Sequence, residues 1–560
     1  MSLTRRGIFG AGAASLAAAC ASSPSGGAVY KGEAAFEHGV ASGDPTQSSV
    51  ILWTRITPKT PGSVPVNWSV ARDRAFTDVV QSGVFVTGPE RDYTVKVDVV
   101  GLPPGETFFY WFWAGQAVSP GGTTRTLPSS GVADFRIAVV SCSNLPFGFF
   151  NAYREIASRG DAHAVFHAGD YLYEYGRNGY GGEVGRQLGR NHEPAGECLT
   201  LADYRLRHAQ YKSDPDLQAA HAAAPWFCTW DDHETANNAY RTGAENHQPD
   251  TEGVWSDRKS QAVQAYLEWM PVRDPASGQV REALWRRFDI GDLASLFLLE
   301  SRLIGRGEDL TIDPIGLAPE TEKQKAADAI MAKVNDPART MLGFEQEAWL
   351  AEGMKASVAG GRKWQVLGNQ VTMAKARNPD LETALSAEAY ATLSPSARRF
   401  YSTARYGLPW NLDAWGGYPH ARERLYAAAR AAGARLVTLT GDTHTAWANE
   451  LHDEKGWRIG VEFGCTSVTS NGAGDSLPIK ELNWLMAEAN DEVVYYNAFD
   501  KGYTLLTLRS DAVEAEFIKV STVKSREYFA STDARFIARA AEIGMGGLQR
   551  PMAVGAVTSG

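Results

Sequence analysis

Between residues 37 and 127 apolar and polar positions alternate in short runs, SSVILWTRI, VPVNWSVAR, SGVFVTG, YTVKVDVVG and FFYWFWAG, punctuated by Gly, Pro and Asp. Period-two alternation with regularly spaced turn residues predicts a β-sandwich over residues 35–127. None of these runs gathers residue types that do chemistry, so its expected role is packing and positioning. After Pro128-Ser129-Ser130-Gly131, in a linker over 128–134, the pattern changes. Apolar runs (FRIAVVSC, AVFHAGD, PWFCTWDDHE, ASLFLLESR, WQVLGNQ, RLVTLTGD, RIGVEFG) now alternate with helical ones such as FFNAYREIAS and LADYRLRHAQY. This grammar predicts a layered α/β domain over residues 135–523. Its sheet is expected to be mixed, with WQVLGNQ, YTLLTLRS and AVEAEFIKV available for antiparallel pairing. Residues 524–560, which include REYFASTDARFIARAAEIGMGGLQR, read as a C-terminal helix and a glycine-rich tail.

Four polar clusters follow directly on apolar strands: Ser141-Cys142-Ser143-Asn144, Gly169-Asp170-Tyr171-Leu172-Tyr173, Asp231-Asp232-His233-Glu234 and Gly441-Asp442-Thr443-His444. The carboxyl edge of strands in an α/β sheet is where loops project side chains into one crevice, so these clusters are expected to converge. Convergence would bring together Asp170, Asp231, Asp232, Asp442, a thiol and a phenol. Such potential anions repel one another in a partly dry site. No arginine or lysine interrupts the four segments, which makes metal ions the expected counter-charge. Thiolate, phenolate, carboxylate and imidazole together suit a transition metal such as iron(III). Carboxylates without imidazole suit a hard cation such as calcium or magnesium.

With 44% hydrophobic and 21% charged residues, the chain falls in the globular range. A net charge of −10 supplies no overall basic field for nucleic acid, and an anionic substrate would need positive charge from bound metal. The opening MSLTRRGIFGAGAASLAAAC sets Arg5-Arg6 before an apolar run too short to span a bilayer, which predicts a cleaved leader over 1–20. Its Thr4-Arg5-Arg6-Gly7-Ile8-Phe9 stretch resembles a twin-arginine export signal. Cys20 follows Leu-Ala-Ala-Ala, similar to a lipoprotein box with its leucine one position further out than usual, so acylation of Cys20 is left open. Residues 21–34 form a linker. The expected location is therefore periplasmic, or anchored at the outer membrane of a bacterium. Cys142, Cys198, Cys228 and Cys465 match neither a zinc knuckle nor a disulfide framework, and all but Cys142 are expected to pack as small hydrophobes.

The order SCSN, GDYLYEYG, WDDHE and GDTH behind a sandwich and a twin-arginine leader resembles the PhoD-type alkaline phosphatases, relatives of the purple acid phosphatases and calcineurin-like metallophosphoesterases. WQVLGNQVTM, DAWGGYP from Asp413 and GVEFGCTSVTS from Gly460 extend the resemblance over nearly the whole mature chain. It implies an iron(III) site of Cys142, Asp170, Tyr173 and His444, with Asp170 bridging to calcium held by Asp170, Asp232 and Asp442. Asp231 or Asn238 are candidate ligands for that ion or for a further calcium. The wider superfamily has nitrogen ligands where this chain has Asp232 and Asp442, and carboxylate oxygen there favours calcium over zinc. Tyr173, three residues after Asp170, can face the same ion from a tight turn, whereas Tyr171 and Tyr175 are expected to pack. Catalytic roles fall to Asp170, His444 and His233, with His233 orienting a carboxylate or approaching the leaving group. His163, His167 and His221 are expected to be ordinary residues.

The implied reaction is hydrolysis of a phosphate-ester substrate by attack of a metal-bound hydroxide, without a phosphoenzyme. Two other readings stand beside it: a phosphodiesterase or phospholipase D-like activity, and a secreted binding protein with structural metals. The resemblance further suggests that the C-terminal tail covers the site.

Overall fold

Two stacked mixed sheets form the centre of the protein, where the strand pattern alone suggests one. The computed structural model describes residues 29–477, 479–541 and 544–550. The predicted leader, Cys20 and most of the first linker lie outside the described residues. Among those described, the first sheet has nine strands. Its middle is parallel: Asp134–Val140, Ala164–His167 and Trp226–Cys228. On one flank Lys501–Arg509, Ala512–Val520 and Ala530–Arg539 add antiparallel. The second sheet has seven strands, with Ala294–Leu298, Trp364–Gly368, Leu436–Thr440 and Arg458–Gly464 parallel at its centre.

The two sheets meet through Ile137, Val139, Phe166 and Phe227 on one side and Leu296, Leu298, Val366 and Val437 on the other, all fully buried. Helices cover both outer faces, so the central strands are buried twice over. That is why they read as continuous apolar runs rather than as alternation. Asn151–Arg159 and Pro215–Ala223 cover the first sheet, and Phe344–Ala359 and Pro419–Ala432 the second. Leu201–Lys212 starts at a capping box in which Thr200 and Asp203 satisfy each other's backbone N–H groups. No helix among the described residues is long and apolar enough to cross a membrane.

The N-terminal sandwich is formed, with Val50, Leu52 and Val95 of one layer packed on Val66, Phe108 and Phe112 of the other. It is not a separate bead. Its Val40–Gly43, Ser49–Arg55 and Thr94–Val100 layer continues the nine-stranded sheet, because Gly43 pairs in parallel with Trp226. At that seam a Cβ on Gly43 would lie 2.2 Å from the Pro271 carbonyl oxygen and 2.7 Å from that of Trp226. Both obstacles are backbone and cannot swing aside. Gly43→Ala is expected to cost about 1–3 kcal/mol, read as a lower urea midpoint at unchanged m-value.

Two sequence expectations need correction. WQVLGNQ is not antiparallel: Trp364–Gly368 lies between two parallel neighbours, reached from Ala294–Leu298 through the crossover helix Phe344–Ala359. The segment after residue 523 contributes a ten-residue edge strand, Ala530–Arg539, where a helix is expected. Phe536 and Ala538 are buried, with Phe536 against Phe517 and Tyr495, and this tertiary contact overrides the helical bias of the composition. YTLLTLRS and AVEAEFIKV do pair antiparallel. Residues 544–550 turn back along the edge strand, where Gln549 bridges Ile537 and the Leu548 N–H donates to Glu450.

Candidate metal centre

Strand ends of both sheets deliver the four clusters to one crevice. Cys142, Asp170 and the Asp231–Asp232 pair follow three neighbouring parallel strands of the first sheet, and Asp442 and His444 follow Leu436–Thr440 of the second. A bridge between Ser141 and Ser467 ties the sheets together at this edge. Gly169 has φ +106°, and a Cβ on it would fall 2.4 Å from the Asp231 backbone nitrogen. The tight contact between the second and third loops therefore requires glycine before Asp170. The backbone is left-handed at Cys142 (φ +59°), Asp170 (+57°), Asn238 (+51°), Asp442 (+64°) and His444 (+58°). These are five of the nine non-glycine residues with positive φ among those described. Strain of this kind costs on the order of 1–3 kcal/mol per residue and concentrates where side chains must be turned toward a ligand.

Donor atoms of Cys142, Asp170 and His444 lie within 4.8 Å of one another, as do those of Asp170, Asp232 and His233, and those of Asp231, Asp232 and Asp442. Asp170 is thus common to the thiol–imidazole group and to a carboxylate group. Tyr173 joins the first: its Oη lies 2.9 Å from Asp170 Oδ2 and 3.0 Å from His444 Nε2. Ser470 Oγ holds that phenol at 2.8 Å. His444 Nδ1 donates to the Asn471 carbonyl at 2.5 Å, which leaves the Nε2 lone pair facing the crevice. His233 packs on the Tyr173 ring, 4.1 Å between centroids, and its Nδ1 lies 2.7 Å from Glu174 Oε2. Asn238 reaches the cluster by its backbone N–H, which donates to Asp232 Oδ2 at 2.6 Å, while its side-chain amide donates to Asp309.

The donor set fits cations. Asp170 Oδ1, Asp231 Oδ2 and Asp232 Oδ1 are buried carboxylate oxygens with no hydrogen-bond donor. Each would be costly to leave without a positive partner. Burial, reinforced by neighbouring acids, pushes the Cys142 thiol, the Tyr173 phenol and the Asp170 and Asp442 carboxyls well above their ordinary ranges. It pushes Asp231 up to about 6, with Arg302 pulling the other way. Burial and Lys501 bring His444 down to about 3, so its ring is neutral and can act as a ligand. Asp232 behaves differently: burial works to raise its pKa, but Arg302 and His233 outweigh it and hold the carboxyl below its usual range. For His233 burial is likewise outweighed, by Asp232, Glu174 and Asp170, and the imidazole is held well above its ordinary value.

The expectation that metal alone supplies positive charge is overturned by Arg302, which is fully buried at the end of the ASLFLLESR strand. Its Nη1 donates to both carboxylate oxygens of Asp413, at 2.9 and 2.7 Å, and its Nε donates to Asp231 Oδ1. Its Nη2 lies 3.7 Å from both Asp232 and Asp442. The four motif segments do lack cations, but a fifth strand end delivers one. The signal was an arginine following an apolar strand, in the same position that marks the acidic loops. Glu234 was also missed. Its carboxylate accepts the N–H groups of Asp170, Tyr171 and Asp231, fastening two of the donor-bearing loops together. Beside the donors Tyr180 lies nearly parallel to the His444 ring, and Phe147 packs on Tyr180 at 4.7 Å. The chain after residue 521 reaches these aromatic residues, where Lys524 donates to the Phe147 carbonyl. His167 and His221 are interior residues bonded to Tyr153 and Tyr171.

Comparison with known proteins gives matching findings. The family model described as PhoD-like phosphatase matches residues 137–517, and that of the PhoD-like phosphatase N-terminal domain matches 19–128. Alkaline phosphatase D of Bacillus subtilis (strain 168) is 35% identical over 525 residues, covering 91% of this chain and 82% of that protein. A solved structure of PhoD superposes with a TM-score of 0.75 at 33% identity, covering 91% of each chain.

Proposed function

Because the chain belongs to the PhoD-like phosphatase family and is a phosphoester hydrolase, we propose that it is an exported alkaline phosphatase working through iron(III) and calcium. The observation that carries this reading is the trio of buried, donorless carboxylate oxygens on Asp170, Asp231 and Asp232. Cys142, Asp170, Tyr173 and His444 would hold iron; Asp170, Asp232 and Asp442 would hold calcium, with Asp231 and Asn238 as further oxygen donors. Bound cations would polarise a phosphoryl oxygen, neutralise charge developing on it and supply hydroxide from water at neutral or alkaline pH.

The chain's own groups prepare that chemistry. Asn471 and Ser470 orient the imidazole and the phenol, so the donors are placed before any ion binds. Arg302 offsets part of the acidic charge, which lets four carboxylates share the crevice. His233, anchored by Glu174, stands beside Asp170 and Asp232, where it can orient a carboxylate or donate to a departing oxygen. Thr443 Oγ1 lies 2.9 Å from Thr445 Oγ1 and accepts from Trp447, so the hydroxyl in the GDTH motif is engaged elsewhere. Direct attack by water is the reading this favours. Export of a folded chain behind the Arg5-Arg6 leader would let the centre load before transit.

The test is optical. Aerobically prepared protein should contain iron and calcium and absorb visible light through the Tyr173 phenolate. Tyr173→Phe should lose the band while its far-ultraviolet dichroism is unchanged. A Tyr173→Phe variant with the parent spectrum would refute the iron assignment.

A further inference from the structure

Beside the loop that carries Asp413 lies a second cleft of about 730 Å³, none of whose lining residues belongs to the donor clusters. It lies between the helix Lys323–Val334, the Lys375–Arg377 stretch and the start of the helix Pro419–Ala432. Most of its buried charge is already matched. Glu492 accepts the backbone N–H groups of Lys375 and His452 at 2.7 and 2.9 Å and lies 3.5 Å from Lys375 Nζ. Asp453 accepts the N–H groups of Lys455 and Trp457 and pairs with Arg430. Glu454 and Asp491 are exposed.

Arg422 is the exception. It is 5% exposed; its Nη1 donates only to the Met373 carbonyl at 3.3 Å, and its Nε has no partner. Arg422 forms no close ion pair, and only the neighbouring Glu423 acts on it at longer range; a guanidinium buried in this way is expensive, and its planar array of donors is suited to a phosphoryl or carboxylate group. Arg422 sits in the first turn of a fourteen-residue helix that opens with Pro419 and has no side-chain cap, so the positive end of the helix dipole adds to its field. The volume far exceeds what a bare oxyanion needs and falls in the ~300–1,000 Å³ range of sites for organic ligands. Met331, Val334 and Pro409 supply apolar wall.

We propose that this cleft binds a small organic anion, its phosphoryl or carboxylate head on Arg422 and its apolar body against Met331, Val334 and Pro409. The assignment stands apart from the metal centre. Isothermal titration of the metal-loaded full chain with phenylphosphonate, and separately with benzoate, tests it and identifies the preferred head group. Binding of at least one probe should persist in Asp170→Asn and weaken about tenfold or more in Arg422→Met, with nitrophenyl phosphate hydrolysis by Arg422→Met unchanged. Hydrogen exchange on the wild-type chain provides a check that needs no substitution: saturating probe should slow exchange across 419–432. Binding that disappears in Asp170→Asn, binding indifferent to Arg422→Met, or unchanged exchange across 419–432 would overturn the proposal.

Discussion

Asp170→Asn should leave a folded protein whose hydrolysis of nitrophenyl phosphate is slower by about 10²–10³-fold or more. Asp170 is the residue common to the thiol–imidazole donors and to a carboxylate group with Asp232, so losing its charge weakens both halves of the centre at once. The exchange is nearly isosteric, and asparagine tolerates the left-handed backbone at this position. The backbone N–H of residue 170 would keep its bond to Glu234, so the loop should hold its course. Stability should move in the opposite direction to activity. In metal-free protein Asp170 is a buried carboxyl pushed up by burial and by Asp232 and Asp231, which together outweigh the attraction of His233, and an amide removes that net penalty. Urea unfolding of the demetallated variant should therefore occur at the same or a higher midpoint than for the demetallated parent. A residue whose role is structural would lose stability together with activity. A variant that kept the parent rate would remove Asp170 from the centre.

What the sequence makes legible here is local. The Gly169–Asp170 step can be read because the steric demand for glycine and the acid beside it lie next to one another. Tyr173 can be read because it follows Asp170 within one turn of chain. Cys142 and His444 stand at the ends of apolar runs, and strand ends are where α/β folds gather side chains. Arg302 also follows an apolar strand, but its partners could not be assigned from that position, since Asp231 and Asp413 are 71 and 111 residues away and no local pattern links them. Glu234 lies inside a recognised motif, yet its work is done on backbone N–H groups of another loop, which side-chain patterns do not encode. The pairing of strands follows the same division. A doubly buried strand reads as an apolar run whichever neighbours it takes, so neither the second sheet nor the parallel setting of Trp364–Gly368 was visible. Ala530–Arg539 shows the limit of propensity at a sheet edge, where Phe536 and Ala538 find a core that their neighbours in sequence do not reveal.

Arg302→Met should destabilise the metal-free protein by about 3–5 kcal/mol at neutral pH. The side chain is fully buried, and methionine fills much of its volume, so the loss would come from charge rather than from a cavity. Without the guanidinium, Asp231 loses its side-chain donor, Asp413 keeps only Arg306, and Asp232 and Asp442 lose their nearest arginine. The pH dependence has a definite sign. Arg302 and His233 hold Asp232 below its usual range in the folded protein, so this pairing contributes stability above the unfolded carboxylate pKa of about 4 and loses it as pH falls below that value. The deficit of Arg302→Met should accordingly be largest at pH 7 and shrink toward pH 4, where carboxylates in the variant take up protons. Pairing the substitution with Asp231→Asn separates the contributions, because Asp413 keeps its pair with Arg306 whereas Asp231 does not: if unmatched charge is the cause, the double variant should recover part of the loss, since removing both partners of a buried pair is milder than removing one. Calcium should also restore stability to Arg302→Met more than to the parent, because a cation among Asp231, Asp232 and Asp442 replaces the missing positive charge. Denaturation midpoints for the four proteins of the cycle, with and without calcium, would check each step, and a single variant as stable as the parent at pH 7 would show that Arg302 does not balance these acids.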